Sequence, residues 1–203
     1  MKVVKKEAKT NSDALNKVLE ELNAREEEVF YYFEESKSGL FKGKKIVANA
    51  VTKYDIKEYI KNYLNEFAYL LNTKFNIEIK ENDGYFNVVI ITDDNAILIG
   101  KDGKNLNSMQ LLLRQSINKF GNFNIKVNLD ISNYKAKKEN RLTFEVKKIA
   151  KEVLKTKIDA KLDPMNSYER RIVHNVISKF DNLVTESIGE TPNRYVVIKY
   201  KKD

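Results

Sequence analysis

Seven glycines and two prolines are all the conformational punctuation that 203 residues receive, and their placement decides what the chain can build. Long Pro/Gly/Ser linkers are absent, so folded segments must abut closely, and no internal repeat is evident. Between the breaks, apolar residues recur at helical or strand spacing. This reads as an α+β chain of three small domains in tandem, over residues 1–52, 55–133 and 134–203.

The first segment reads β-α-β-β. Val3 and Val4 open a strand, Asn11 or Ser12 can cap a helix, and Ala14, Leu15, Val18, Leu19 and Leu22 give that helix one apolar face. Val29 to Phe33 is a strand, and Ser38 to Gly43 turns the chain into another at Ile46 to Val51. The second segment reads α-β-β-α-α-β. Its first helix, about Asp55 to Asn72, carries Ile56, Ile60, Tyr63, Leu64, Phe67, Leu70 and Leu71 on one stripe. A hairpin follows, Asn76 to Lys80 and Tyr85 to Ile91, turning at Asp83-Gly84. A short helix, Asn95 to Ile99, is interrupted by Gly100-Lys101-Asp102-Gly103. A second helix, Lys104 to about Lys119, carries Leu106, Met109, Leu112, Leu113 and Ile117, and a strand from Phe123 to Leu129 closes the unit. The third segment opens with a basic helix, Tyr134 to Thr156, around a stripe of Leu142, Val146, Ile149 and Val153. A strand at Lys157 to Leu162 runs into Asp163-Pro164. A helix to about Phe180 follows, with Asn166 and Glu169 in a capping-box pattern, and then a hairpin of Leu183 to Ile188 and Arg194 to Tyr200.

Several chemistries are excluded outright. With no Cys there can be no disulfide, thiol nucleophile or cysteine zinc site, and a single histidine, His174, cannot make a His-rich metal centre. A carboxylate-only Mg²⁺ site stays open. No metal site, cofactor or catalytic residue is therefore assigned. As a general base His174 would need a second catalytic group, and none stands at a recognisable spacing, so the chain is expected not to be an enzyme. Met1 to Lys9 is charged, and no apolar run approaches the ~20 residues that span a bilayer, so the expectation is a cytoplasmic protein. The formal charge of +8 is unevenly spread: +2 over residues 1–54, −1 over 55–134 and +7 over 135–203. A basic excess of that kind favours a polyanion partner for the last third.

Two motifs carry the chemistry. In Gly100-Lys101-Asp102-Gly103, followed by Lys104, the glycines allow close approach of a sugar-phosphate backbone, and the next helix directs its first amides at phosphates. In Arg170-Arg171-Ile172-Val173-His174, the first and last residues lie about 40° apart at the edge of an apolar face. Arginine beside imidazole suits phosphate by charge plus directed hydrogen bonds. Arg171 and Arg194 join them on charge grounds.

The glycine loop, set between two helices inside α-β-β-α-α-β and preceded by Ala96 to Ile99, resembles the KH domain in its bacterial, type II arrangement. That resemblance implies about four unpaired nucleotides across the loop and adjoining groove. Close relatives usually have a basic residue where this chain has Asp102, so weak binding by this segment alone is expected. Asp163 to His174, with Thr185 to Glu190 and Asn193 to Ile198, resembles the Arg-x-x-x-His (R-3-H) domain, helices on a small sheet that bind single-stranded nucleic acid. It implies phosphate contact by Arg170 and His174.

The domain order is similar to that of the bacterial Jag/KhpB family over essentially the whole chain, most strongly at 97–113 and 163–198. The resemblance implies single-stranded RNA as ligand, with single-stranded DNA an open alternative. It further implies post-transcriptional regulation or RNA chaperoning that influences cell shape and cell wall and envelope synthesis. A small KH-only, KhpA-like partner and peripheral association with the membrane insertase also follow from it. The alternative reading is a membrane-proximal protein-interaction adaptor with weak RNA binding, using the first domain. There Ser38 to Lys44, with Leu40 and Phe41, approximates the family's Gly-rich basic loop.

Overall fold

The computed structural model describes residues 1–36 and 45–201; the loop expected at Ser38 to Lys44 lies outside them. The chain forms two compact units, Met1–Ser132 and Asn133–Asp203.

The first unit holds two sheets. Strands β1 (Val4–Ala8), β2 (Val29–Ser36) and β3 (Lys45–Thr52) pair antiparallel in the order β1-β3-β2. Helix α1 (Asn11–Leu22) lies on one face, where Val4, Ala14, Val18, Ala48 and Ala50 make a small core. Its cap is Thr10, whose hydroxyl accepts the Asp13 amide at 3.1 Å, and not Asn11 or Ser12. A cap must precede the first helical residue with extended backbone, and Thr10 does so at φ −123°, ψ 157°. The opposite face carries Phe30 and Tyr32, paired across the ladder with Val51 and Asn49. Phe30 meets Phe86 at 5.9 Å between ring centroids, and Tyr32 meets Phe123 edge-on at 4.9 Å, so the first sheet packs on the second segment through aromatic contacts.

Helix α2 (Lys53–Leu70) is capped by Thr52 and buries Ile56, Ile60, Leu64 and Ala68. The expected stripe runs too far: the helix stops at Leu70, leaving Leu70 73% exposed and Leu71 exposed beyond its end. Strands β4 (Asn76–Asn82) and β5 (Tyr85–Ile91) form the hairpin, and β6 (Lys126–Ile131) joins β5 in parallel. A parallel neighbour requires a crossover, supplied by α3 (Asn95–Ile99) and α4 (Lys104–Asn118). Leu106, Met109, Leu113 and Ile117 of α4 are buried, whereas Leu112, placed on the stripe from sequence, is exposed. The last strand begins at Lys126 and not at Phe123, because Asn124 adopts φ 52° and breaks the extended run. Phe123 and Ile125 are buried all the same.

In the second unit, α5 (Tyr134–Thr156) and α6 (Ser167–Ile177) pack on a sheet of β7 (Ala160–Lys161), β8 (Leu183–Ile188) and β9 (Tyr195–Tyr200), ordered β7-β9-β8. The predicted capping box closes α6: Asn166 Oδ1 accepts the Glu169 amide at 3.0 Å and Glu169 Oε2 accepts the Asn166 amide at 2.9 Å. Val146, Ala150, Val153, Val173, Ile177, Val196 and Ile198 fill the core. The strand expected from Lys157 shrinks to two residues, since Lys157 closes α5 in the left-handed region at φ 58°. Helix α6 ends before Phe180, which still packs against the core.

Candidate nucleic-acid interface

The first candidate lies where α3 gives way to α4. Gly100 has φ 67° and ψ −179°, a region open in practice only to glycine, and Gly103 has φ 84° and is buried. A Cβ on Gly100 would sit 2.6 Å from Cγ of Asn105, whose amide Nδ2 donates to the Ile97 carbonyl at 2.8 Å. Asn105 thus ties α4 back to α3 across the loop, and only a glycine leaves room for it. Asp102 is also left-handed, φ 56°, a conformation Asp tolerates better than most side chains. Helices α1, α2 and α6 are each closed by a side chain, but α4 starts at Gly103 with no side-chain cap. Its first amides are therefore not taken up by a capping side chain. Lys101, Asp102 and Lys104 are exposed around this turn.

The second candidate is a ring of contacts in the other unit. Nδ1 of His174 lies 2.5 Å from the Thr185 hydroxyl on β8. One turn earlier on α6, Arg170 donates from Nη1 to the Met165 carbonyl at 2.9 Å. The Met165 amide donates to the Arg194 carbonyl at 3.0 Å, and the Arg194 Nε donates to the Ser187 hydroxyl, also at 3.0 Å. Ser187 stands two residues from Thr185 on the same strand face, which closes the circuit. Arg170, His174 and Arg194 are thereby gathered at the edge strand β8, with His174 anchored through one ring nitrogen. Arg171 is exposed about 100° further round the helix and is not part of the ring.

Sequence reasoning placed Arg170 and His174 at the edge of the apolar face, and both are half-buried there. It missed the residues that hold them: Thr185, Ser187, the Met165 carbonyl and, in the loop, Asn105. The available signal was the pair of hydroxyls at alternate positions of a strand whose other residues include buried Leu183. Among the described residues no group of three or more His, Asp or Glu could hold a metal ion, and no helix is long and apolar enough to cross a membrane. What the two sites offer a ligand is backbone amide and positive charge, which suits phosphate.

Both candidate sites fall within stretches of the chain that match known domain families. A family model of the R-3-H domain matches residues 141–200, and a model of the KhpA/KhpB KH domain matches residues 57–131. A protein of Clostridium symbiosum named RNA-binding protein KhpB is 34% identical over 208 residues, covering 100% of this chain and 94% of that protein. The Bacillus subtilis protein of the same name is 33% identical over 166 residues, 81% of this chain and 80% of its own length. Another so named, from Lactiplantibacillus plantarum, is 28% identical over 141 residues, 70% of this chain and 44% of that protein.

Proposed function

The chain belongs to the KhpB family, and from that premise we propose that it is a non-enzymatic protein that binds single-stranded RNA through its tandem KH and R-3-H domains. The observation that carries this reading is the ring around His174. It anchors the imidazole by Nδ1 and fixes two guanidinium groups, Arg170 on the Met165 carbonyl and Arg194 on the Ser187 hydroxyl. The KH contact comprises Gly100, Lys101, Asp102, Gly103 and Lys104, and the R-3-H contact comprises Arg170, His174 and Arg194, with Arg171 an outlying cation. Residues 1–52, 55–133 and 134–203 act as three domains, the first of them packed on the second.

In the cell this reading makes the protein a cytoplasmic post-transcriptional regulator or RNA chaperone, influencing cell shape and envelope synthesis with a small KH-only partner. Asp102 is the one observation on the side of the adaptor reading, because a carboxylate inside a phosphate loop weakens that contact. RNA recovered by crosslinking in cells supports the first role. A protein partner that survives nuclease, with no RNA crosslinked, supports the second.

The direct test is titration of the full chain with an unstructured oligoribonucleotide and with a blunt duplex of the same length. KH grooves read splayed bases, so the single strand binds more tightly. Equal affinities refute the proposal. Arg170→Ala with His174→Ala should weaken binding on the order of tenfold or more, as expected for charge-assisted contacts.

A further inference from the structure

Helix α5 is more than a core element. At 100° per residue, Lys137, Arg141, Phe144, Lys148, Lys151 and Lys155 fall within about 80° of arc, a straight stripe along the helix. All six are exposed, while Val146, Ala150 and Val153 on the far side are buried. The stripe runs for about 27 Å at the helical rise per residue. Among the described residues its one ion pair is Arg141 with Glu145, at 3.8 Å, too long and too exposed to neutralise much. Glu145 and Glu152 border one edge, and Lys147 widens the other.

Phe144, 71% exposed, stands in the middle of these five cations. Scattered exposed apolar residues are ordinary. This one is distinguished by its neighbours, since a ring among lysines is a poor surface for packing against another apolar face. Phenylalanine is also a weaker helix former than the lysines around it, so helix stability does not account for it. A flat π-face flanked by cations matches one ligand chemistry well: an unpaired base stacked on the ring, with the adjoining phosphates held by the ammonium groups.

We propose that the outward face of α5 is a further contact for single-stranded RNA, in which Phe144 stacks a base and Lys148 and Lys151 neutralise phosphates beside it. The face belongs to a different helix from Arg170 and His174. This rests on the RNA-binding reading above.

The chain contains no tryptophan, so Phe144→Trp introduces a single indole as reporter. Titrating that full-length variant with unstructured oligouridine should quench its fluorescence, at an affinity close to that of the unmodified chain. Phe144→Ala, safe for the fold because alanine is the best helix former, should weaken binding on the order of tenfold, and Phe144→Tyr should restore it. Lys148→Gln with Lys151→Gln should lower the slope of log K against log salt by about 1.4, two phosphates' worth on a single strand. If the unmodified chain binds oligouridine and Phe144→Ala binds equally well, this inference falls and the RNA-binding reading stands. If the unmodified chain binds no single-stranded RNA at all, both fall.

Discussion

The loop at Gly100–Gly103 and the ring around His174 are built from different materials. The loop is a backbone object: two glycines at positive φ, one left-handed aspartate and an amide terminus that no side chain closes. Its surroundings carry no net positive charge, with 9 basic and 10 acidic residues over positions 55–134. The ring is a side-chain object, in which two arginines and a histidine are held by hydroxyls and carbonyls, in a segment carrying 17 basic and 10 acidic residues over 135–203. A backbone site depends on the absence of atoms and responds to salt only through the few charges beside it, here Lys101, Asp102 and Lys104. A side-chain site depends on the presence of charge and weakens steeply as salt rises. On the reading proposed above, the two would divide the work, with shape selected at the loop and attraction supplied by the second unit.

The largest expected effect separates these materials at the loop. Gly100→Ala forces a Cβ into a left-handed conformation against Asn105, at a strain of about 1–3 kcal/mol. Urea melts should show that loss in the first unit, and single-strand affinity should fall on the order of tenfold as the loop shifts. The slope of log K against log salt should stay unchanged, because no charge has been removed. A lowered slope would mean that the loop's contribution is electrostatic after all, and the comparison would collapse.

Thr185→Val probes the ring with less disturbance. Valine keeps the shape and removes only the hydroxyl that meets His174 Nδ1. A side-chain hydrogen bond of this kind contributes about 1 kcal/mol, and the freed imidazole loses its fixed orientation. RNA affinity should drop about fivefold although Thr185 itself is assigned no contact with the ligand. Unchanged affinity with a lowered melting temperature would return the His174–Thr185 pair to a purely structural role.

Much of both sites could be read before the fold was known, and what escaped did so for a common reason. The boundaries of α3, the glycine interruption and the capping box of Asn166 and Glu169 are local features, decided by residues within a turn of one another, and the structure has them where the spacing predicts. Local reading failed where one turn's chemistry competes with another's. Thr10 takes the cap from Asn11 and Ser12, and Asn124 cuts short a strand that β-propensity would have started at Phe123. Asn105, Thr185 and Ser187 were missed because their partners lie 7 to 11 residues away in sequence, so their role exists only once α3 meets α4, α6 meets β8 and the β8–β9 hairpin closes. Phe30 and Tyr32 read equally well as core of their own sheet; only the docked aromatic pairs with Phe86 and Phe123 assign them to the junction.

The smallest expected effect tests whether the loop's charge matters at all. Asp102 places a carboxylate between Lys101 and Lys104 at the point where a phosphate would approach. Asparagine keeps the size and tolerates the same φ of 56°, so Asp102→Asn removes charge with little change of shape. The relief of one exposed like-charge interaction is on the order of a few tenths of a kcal/mol, which makes affinity about twofold tighter at low salt. Because the effect is Coulombic and exposed, it should fade once the Debye length shrinks to ~3 Å at 1 M salt. A melting curve serves as control, since a stability change would show that Asp102 acts within the fold. A gain that persisted at high salt would point to hydrogen bonding by the new amide, and no gain at any salt would mean that the strand does not cross this loop. Opposite salt responses of Asp102→Asn and Lys148→Gln, one gaining and one losing affinity at low salt, would show both units touching the same strand through charge.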